Sequence, residues 1–206
     1  MPSTLVINKK LNKFKKVISV NGDKSISIRW VLFSSLAKGV STAKNLLMSE
    51  DVLAALNAVS KLGIKFKINK NTCKIYGRGI NGYKYKKKIV INAKNSGTLG
   101  RLILGLLINT TVPIKIIGDK SLSKRDFKRV SDPLSKFGAK FKLKNKKNLP
   151  LTIIGSKKLK PINYVENKGS AQCKSSIILG ALRTDGTTKI KARKSRNHTE
   201  LLCKYL

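Results

Sequence analysis

Acidic residues, cysteine, histidine and long apolar runs are all scarce in this chain of 206 residues. The three cysteines, Cys73, Cys173 and Cys203, are odd in number and widely separated, which excludes a disulfide framework; with a single histidine, an ordinary Cys/His zinc site is also excluded. The longest apolar run, 102–108, is far shorter than the roughly 20 residues of a membrane span. The N-terminus has no basic segment leading into an apolar stretch, so we predict no secretory signal and a cytoplasmic location.

Positive charge is abundant instead. Lysine and arginine number 45 against 9 aspartate and glutamate, which gives a net charge of +36. Lysines that neutralise phosphates favour nucleic-acid binding through counterion release. Here they are spread from Lys9 to Lys204, and aromatic residues make up only 6% of the chain, too few for a base-stacking surface. We therefore interpret most of the charge as a solvated surface that concentrates anionic substrates, with a basic nucleic-acid-binding module as the rival interpretation.

The sequence contains an internal repeat. A shift of 75 residues places Gly22 on Gly97 and superimposes 61–67 on 136–142 with five of seven positions identical, and a further shift of 72 places Gly97 on Gly169. We predict three copies, at about 22–95, 96–168 and 169–206, the last of them incomplete. Because the third copy stops before its closing strands, we expect the chain to be part of a longer protein.

Each copy has the same predicted order of elements, β-α-β-α-β-β, which is an α/β fold. Apolar residues at three- and four-residue spacing predict helices that open at the glycine turns, at 25–38, 98–108 and 171–182. Strands are predicted at 40–46, 112–117 and 187–192, and second helices at 51–62, 126–137 and from about 197. The second helices of the first two copies end at a Lys-x-Gly sequence, in which glycine is a typical C-cap.

The three glycine turns are the candidate ligand-binding elements. Small polar residues at a helix N-terminus present free N–H groups to phosphate or carboxylate. Basic residues recur near them and supply guanidinium or ammonium groups for the same anions: Lys24, Arg29, Arg101, Arg125 and Arg196. Cys173 is interpreted as an apolar filler and His198 as a capping or packing residue.

The ordered motifs resemble the enolpyruvyl transferases, in the branch that uses shikimate 3-phosphate. They are GDKSISIR (22–29), NLLMSEDV (45–52), NSGTLGR (95–101), GDKSLSKR (118–125), SAQCKS (170–175) and SRNHTE (195–200), and they cover nearly the whole chain. The resemblance implies an inside-out α/β barrel of two similar domains with the active site between them. This chain would then be the N-terminal portion: 21–206 would form one domain of three repeats, and 1–20 would belong to the other.

The resemblance also implies an activity: the enolpyruvyl group of phosphoenolpyruvate moves to the 5-hydroxyl of shikimate 3-phosphate and phosphate leaves. The reaction belongs to the shikimate pathway and proceeds by addition and elimination, with no metal and no cofactor. The full-length protein is expected to be a monomer that binds neither nucleic acid nor membrane. With the acid/base carboxylates expected in the other half, this portion alone should show little turnover.

The residue roles implied by the resemblance divide between the two substrates. Lys24 would be the catalytic residue of this half and would touch both substrates. Shikimate 3-phosphate would be bound by Lys24, Ser25, Arg29, Ser170, Ala171, Gln172, Ser195 and Arg196. Phosphoenolpyruvate would be bound by Lys24, Gly97, Arg125 and Gln172. The nearest alternative in the same fold, a UDP-N-acetylglucosamine enolpyruvyl transferase, would carry Lys-Asn where this chain has Lys24-Ser25, and a catalytic cysteine loop that is missing here.

Overall fold

A computed structural model describes residues 4, 6–8, 10, 15, 17–70, 72–85 and 89–206. Half of the predicted N-terminal segment 1–20 falls outside these residues, and its assignment to another domain stays a prediction. Among the described residues, no helix combines the length and hydrophobicity that crossing a membrane requires.

The first unit contains two helices and a three-stranded antiparallel sheet. In chain order its elements are α1 (Lys24–Leu36), β1 (Lys38–Lys44), α2 (Glu50–Lys61), β2 (Lys65–Asn69) and β3 (Thr72–Arg78). The sheet order is β1-β3-β2, so the hairpin β2–β3 returns its second strand to the centre of the sheet. Gly63 adopts a left-handed φ of 87° just after α2, which confirms the predicted glycine at the end of this helix.

The second unit is complete and shows the whole repeat. Its elements are β4 (Ile89–Asn92), α3 (Gly97–Leu106), β5 (Ile114–Ile117), α4 (Lys120–Ser123), α5 (Lys128–Lys136), β6 (Lys140–Lys144) and β7 (Asn148–Ile154). The strand β4 pairs in parallel with β5, and β5 and β6 both pair antiparallel with β7. The short helix α4 was not predicted, because four residues are too few for a periodic apolar pattern; the carboxylate of Asp119 caps it by accepting from the Leu122 N–H at 2.7 Å.

The third unit contains β8 (Asn163–Glu166), α6 (Ala171–Ala181), β9 (Lys189–Ala192) and α7 (His198–Tyr205), with β8 and β9 parallel. The strands β4 and β8 precede the glycine turns, yet each forms a sheet with the strand that follows its turn. The strands β4 and β8 thus pair with later strands, whereas the predicted boundaries near 95 and 168 place them at the ends of the preceding copies; the boundaries themselves stay a prediction. The α/β class and the order of helices and strands agree with the prediction.

The opening helices α1, α3 and α6 form the centre of the fold. In α3 all residues but Thr98 are buried, and α1 and α6 are also buried around most of their circumference, as expected for helices enclosed by other elements. The backbones of α3 and α6 approach closely at Gly105, where an added Cβ would lie 2.2 Å from the carbonyl oxygen of Ser176. Across the same contact, the Ser176 hydroxyl donates to the Arg101 carbonyl at 2.9 Å. This packing places the N-terminal turns of α3 and α6 next to each other.

Candidate active site at the inner helix N-termini

Each inner helix begins at a capped turn. The side chains of Asp23, Ser96 and Ser170 accept hydrogen bonds from the N–H groups three residues later, in α1, α3 and α6 respectively. A side-chain cap satisfies only part of the first-turn N–H groups, so the helix ends keep donors for an anion. The sequence-predicted turns are therefore helix N-termini in the structure.

Gln172 links the α3 and α6 turns. Its side-chain carbonyl accepts from Arg101 Nη1, and its amide nitrogen donates to Thr98 Oγ1 at 3.1 Å. Both the oxygen and the nitrogen of the amide are thus held by α3, which sets the orientation of this side chain at the junction. The structure therefore places the side chain of Gln172 beside Thr98, the residue that follows Gly97.

Three arginines lie around this junction: Arg101, Arg125 and Arg129. Arg101 is 5% exposed, donates to the Asp126 carbonyl at 3.1 Å and lies 5.3 Å from the centre of the Phe127 ring. The guanidinium of Arg125 lies over Gly97, with Nη1 3.0 Å from the position a Cβ would take there. Burial, together with the charges of Arg129 and Arg125, lowers the pKa of Arg101 to about 10. A bound anion would relieve this like-charge repulsion.

Arg29 joins α1 to the third unit. It is 4% exposed, and it donates to the Ser25 carbonyl at 3.0 Å, to Ser175 Oγ at 3.1 Å and to Thr199 Oγ1 at 2.7 Å. Burial lowers the pKa of Arg29, and the charge of Arg196 lowers it further. Three of its five N–H donors are thus taken by the protein, and the arginine holds α1, α6 and α7 together at the same end of the domain as the Gln172 junction.

Lys24 lies in the first turn of α1, with a side chain that is 55% exposed. Its ammonium group forms an ion pair with Asp51 at 2.8 Å, a partner the sequence analysis did not predict. Ser25, the neighbouring predicted ligand, is partly buried. The ion pair orients Lys24 at the open surface, where exchange of the carboxylate for a substrate anion costs little.

The loop before α6 is held by a buried carboxylate. Glu166 is 3% exposed and accepts from the N–H groups of Ser170 at 2.9 Å and Lys168 at 3.1 Å, around Gly169 with its φ of 64°. Nothing in the sequence around Glu166 indicated this role. The carboxylate positions the Ser170-Ala171 turn, in which Ala171 is the buried first residue of α6.

The second loop of the third unit runs beside this turn. An added Cβ at Gly169 would lie 3.7 Å from the Lys194 carbonyl, which directly precedes Ser195. The hydroxyl of Ser195 is buried and has no hydrogen-bond partner among the described residues, while Arg196 is exposed. A buried hydroxyl without a partner is expensive unless a ligand satisfies it, so this loop fits a phosphate-binding role.

Cys173 and His198 are the two remaining residues that the sequence analysis considered. Cys173 is 2% exposed, its thiol donates to the Arg129 carbonyl at 3.1 Å, and burial raises its pKa to about 11. Such a thiol is a poor nucleophile at neutral pH, in agreement with the predicted filler role. His198 is the first residue of α7, and its Nδ1 is buried without a partner in the described part of the chain.

The predicted site residues thus fall into two connected groups. One surrounds the α3–α6 junction: Gly97, Arg125 and Gln172, with Arg101. The other lies along α1 and the third unit: Lys24, Ser25, Arg29, Ser170, Ala171, Ser195 and Arg196. The sequence analysis assigned no role to the residues that position them: Asp51, Thr98, Glu166, Ser175 and Thr199. All but Glu166 lie within the quoted motifs, which was the available signal, but their partners are distant in the sequence.

Three capped inner helices with cationic side chains near their starts form the arrangement that the sequence analysis expects of an enolpyruvyl transferase. The family profile described as EPSP synthase (3-phosphoshikimate 1-carboxyvinyltransferase) matches residues 8–206. The chain belongs to the EPSP synthase family.

Individual relatives agree with this assignment. The chain is 42% identical to the 3-phosphoshikimate 1-carboxyvinyltransferase of Streptococcus mutans over 189 residues, covering 91% of this chain and 44% of the relative. It is 42% identical to that of Caldicellulosiruptor bescii over 205 residues, covering 97% and 47%. A solved EPSP synthase of Acinetobacter baumannii superimposes with a TM-score of 0.83 at 35% identity, covering 89% of this chain and 42% of that one. The chain spans about half the length of the relatives it matches.

Proposed function

We propose that this chain is the shikimate 3-phosphate-binding part of an enzyme that transfers the enolpyruvyl group of phosphoenolpyruvate to the 5-hydroxyl of shikimate 3-phosphate and releases phosphate. The family membership supports the reaction class. The observation that carries the proposal for this chain is the Gln172 junction, where Arg101 and Arg125 crowd two helix N-termini with positive charge and amide donors.

The arrangement suits two anionic reactants. Phosphoenolpyruvate and shikimate 3-phosphate repel each other in water, so an enzyme must neutralise both while it aligns the hydroxyl with the enol carbon. In the proposal, Gly97 and Arg125 bind phosphoenolpyruvate, the loops at Ser170 and Ser195 bind the 3-phosphate, and Gln172 lies between them. Their fixed donors need no reorganisation during the reaction.

Lys24, as the catalytic residue of this half, would contact both reactants. Ser25 and Arg29 would bind the shikimate ring, with Ala171 and Arg196 beside the 3-phosphate. The acid/base carboxylates and further phosphoenolpyruvate ligands are assigned to the other half of the protein, so this chain by itself should show little turnover. A cytoplasmic location and a monomeric full-length protein belong to the same proposal.

Binding of shikimate 3-phosphate to the 206-residue chain tests the proposal without requiring turnover. Isothermal titration calorimetry at 150 mM salt should give a saturable binding step for shikimate 3-phosphate at the active-site turns, where shikimate and glucose 6-phosphate should bind much more weakly. Lys24→Ala should weaken binding by about 10-fold or more, because a charge-assisted hydrogen bond contributes roughly 1.5–3 kcal/mol.

The matched control is Lys38→Ala, since Lys38 is an exposed lysine just beyond the opposite end of α1. This variant should bind within twofold of the unmodified chain. Displacement of shikimate 3-phosphate by an equal concentration of glucose 6-phosphate, or equal losses in the two variants, would show that this site binds phosphates through net charge alone, and the proposal would fail.

A further inference from the structure

A second cluster of cationic and polar side chains lies at the other end of the inner helices. Asn109 follows the C-terminal end of α3, and Arg183 follows that of α6. Both helices run about 15 Å from the active-site turns to this end, at 1.5 Å per residue. Neither residue belongs to a motif or to the proposed transferase site.

Arg183 is held in an unusual environment. Its guanidinium carbon lies 5.0 Å from the centre of the Tyr83 ring, and the Tyr83 hydroxyl forms a hydrogen bond of 2.7 Å with Ser35 near the end of α1. Stacking on this anchored ring fixes the plane of the guanidinium. The Nε and Nη1 atoms are buried and have no hydrogen-bond partner among the described residues. The N–H donors of these two buried nitrogens of a half-buried cation are therefore unmet.

An open cavity of about 560 Å³ adjoins this guanidinium. Lys157, Lys158 and Arg183 bring three positive charges to its wall, against the single carboxylate of Asp185. Neither of the ion pairs found in the described residues involves these four side chains. The cavity thus has an excess of positive charge, and its one carboxylate forms no ion pair with the three cations.

The wall also offers an acceptor. Asn109 donates from its amide nitrogen to Asn81 Oδ1 at 3.1 Å, but its own Oδ1 is buried without a partner in the described chain. Two unmet guanidinium donors and one unmet carbonyl acceptor match a phosphate that keeps one O–H, since its other oxygens accept while that hydroxyl donates. A carboxylate, which has no hydroxyl when ionised, would leave Asn109 unsatisfied.

We propose that this cavity is a second anion-binding site, which takes a phosphoryl group on Arg183 at the end of the domain remote from the active-site turns. Lys157 and Lys158 bring further positive charge to the ligand, and the cavity volume leaves room for the remainder of a small organic phosphate. The site does not depend on the proposed transferase activity, because it shares no residue with the active site.

Titration with inorganic phosphate, followed by ¹H–¹⁵N NMR at constant ionic strength, tests the proposal. The amides of Asn81, Asn109 and Thr184 should shift together along one saturable curve, separately from any shifts at Gly97 or Gln172. Arg183→Gln should weaken phosphate binding at the cavity amides by about 10-fold and leave the chemical-shift changes at the active-site amides as they are in the parent. The control is Lys136→Gln, which removes another cation that lies over a tyrosine ring, 5.4 Å from the centre of the Tyr164 ring. It should change the dissociation constant for phosphate by no more than twofold, both at the cavity amides and at the active-site amides.

A second variant is needed because Arg183→Gln also removes the stacking on Tyr83 and could disturb the fold. Lys157→Gln/Lys158→Gln alters two exposed side chains and should weaken the cavity curve several-fold. Linear or absent shifts at Asn81 and Asn109, or unchanged affinity in a folded Arg183→Gln variant, would overturn the proposal. Acetate that binds the cavity as tightly as phosphate would refute the phosphoryl assignment.

Discussion

The contact between α3 and α6 makes the strongest stability prediction, because a single methyl group at Gly105 should force the two helices apart. In a Gly105→Ala variant the new Cβ would lie 2.2 Å from the Ser176 carbonyl oxygen and 3.1 Å from Leu179 Cβ. Since the nearest atom belongs to a helix backbone, the whole of α6 would have to move by more than about 1 Å to restore an ordinary van der Waals contact.

The expected magnitude follows from two opposing terms. Overpacking of a well-packed core costs about 1–3 kcal/mol, and a backbone clash belongs at the upper end of this range or above it. Alanine in place of glycine inside a helix regains up to about 1 kcal/mol. The net loss of unfolding free energy should be about 2 kcal/mol, which corresponds to a fall in Tm of about 4–8 °C for a chain of this length.

A matched variant in the same helix isolates the clash. In Gly100→Ala the nearest atoms are side-chain carbons of Phe127 and Ala93 at 3.3 and 3.4 Å, which can give way by a few tenths of an ångström. Its stability should stay within about 1 kcal/mol of the parent, because the helix-propensity gain offsets the tighter contact. Urea unfolding followed by circular dichroism measures both variants. Equal stabilities would refute the close approach of α3 and α6 that orients Gln172.

Two further predictions concern buried polar groups. Thr199→Ala should lower the unfolding free energy by about 1–3 kcal/mol, because the buried Arg29 Nε loses its 2.7 Å acceptor, whereas Thr199→Ser should recover most of the loss; identical urea midpoints for the two variants would contradict this. The Cys173 pKa, about 11 in the folded chain against 9.0 for a free thiol, means that the folded state keeps this proton longer than the unfolded state does. The contribution of the protonated Cys173 thiol to folding stability should be complete below pH 9 and lost between pH 9 and 11. Over that interval, Tm should therefore fall less steeply in Cys173→Ala than in the parent. Parallel plots of Tm against pH for the two proteins would refute this prediction.

Features set by neighbouring residues were predictable from the sequence. The three glycine turns, the helices they open and the glycine after α2 all follow from short-range capping and apolar spacing. The same logic placed Gly97 and Gln172 near a common site, because equivalent positions of a repeat meet where its copies pack together. The sheets that contain β4 and β8 were not predictable, because each of these strands pairs with a strand more than twenty residues away.

The amino-acid sequence alone determined the α/β repeat, the capped starts of the inner helices and the family, since these depend on local periodicity and on ordered motifs. Only the tertiary structure decided which atoms meet: the Thr199 hydroxyl with Arg29, the Asp51 carboxylate with Lys24, and the Arg183 guanidinium with the Tyr83 ring. The physical reason is that each such contact joins residues from separate elements. Its geometry therefore exists only after α1, α3 and α6 have packed, and no spacing along the chain encodes it.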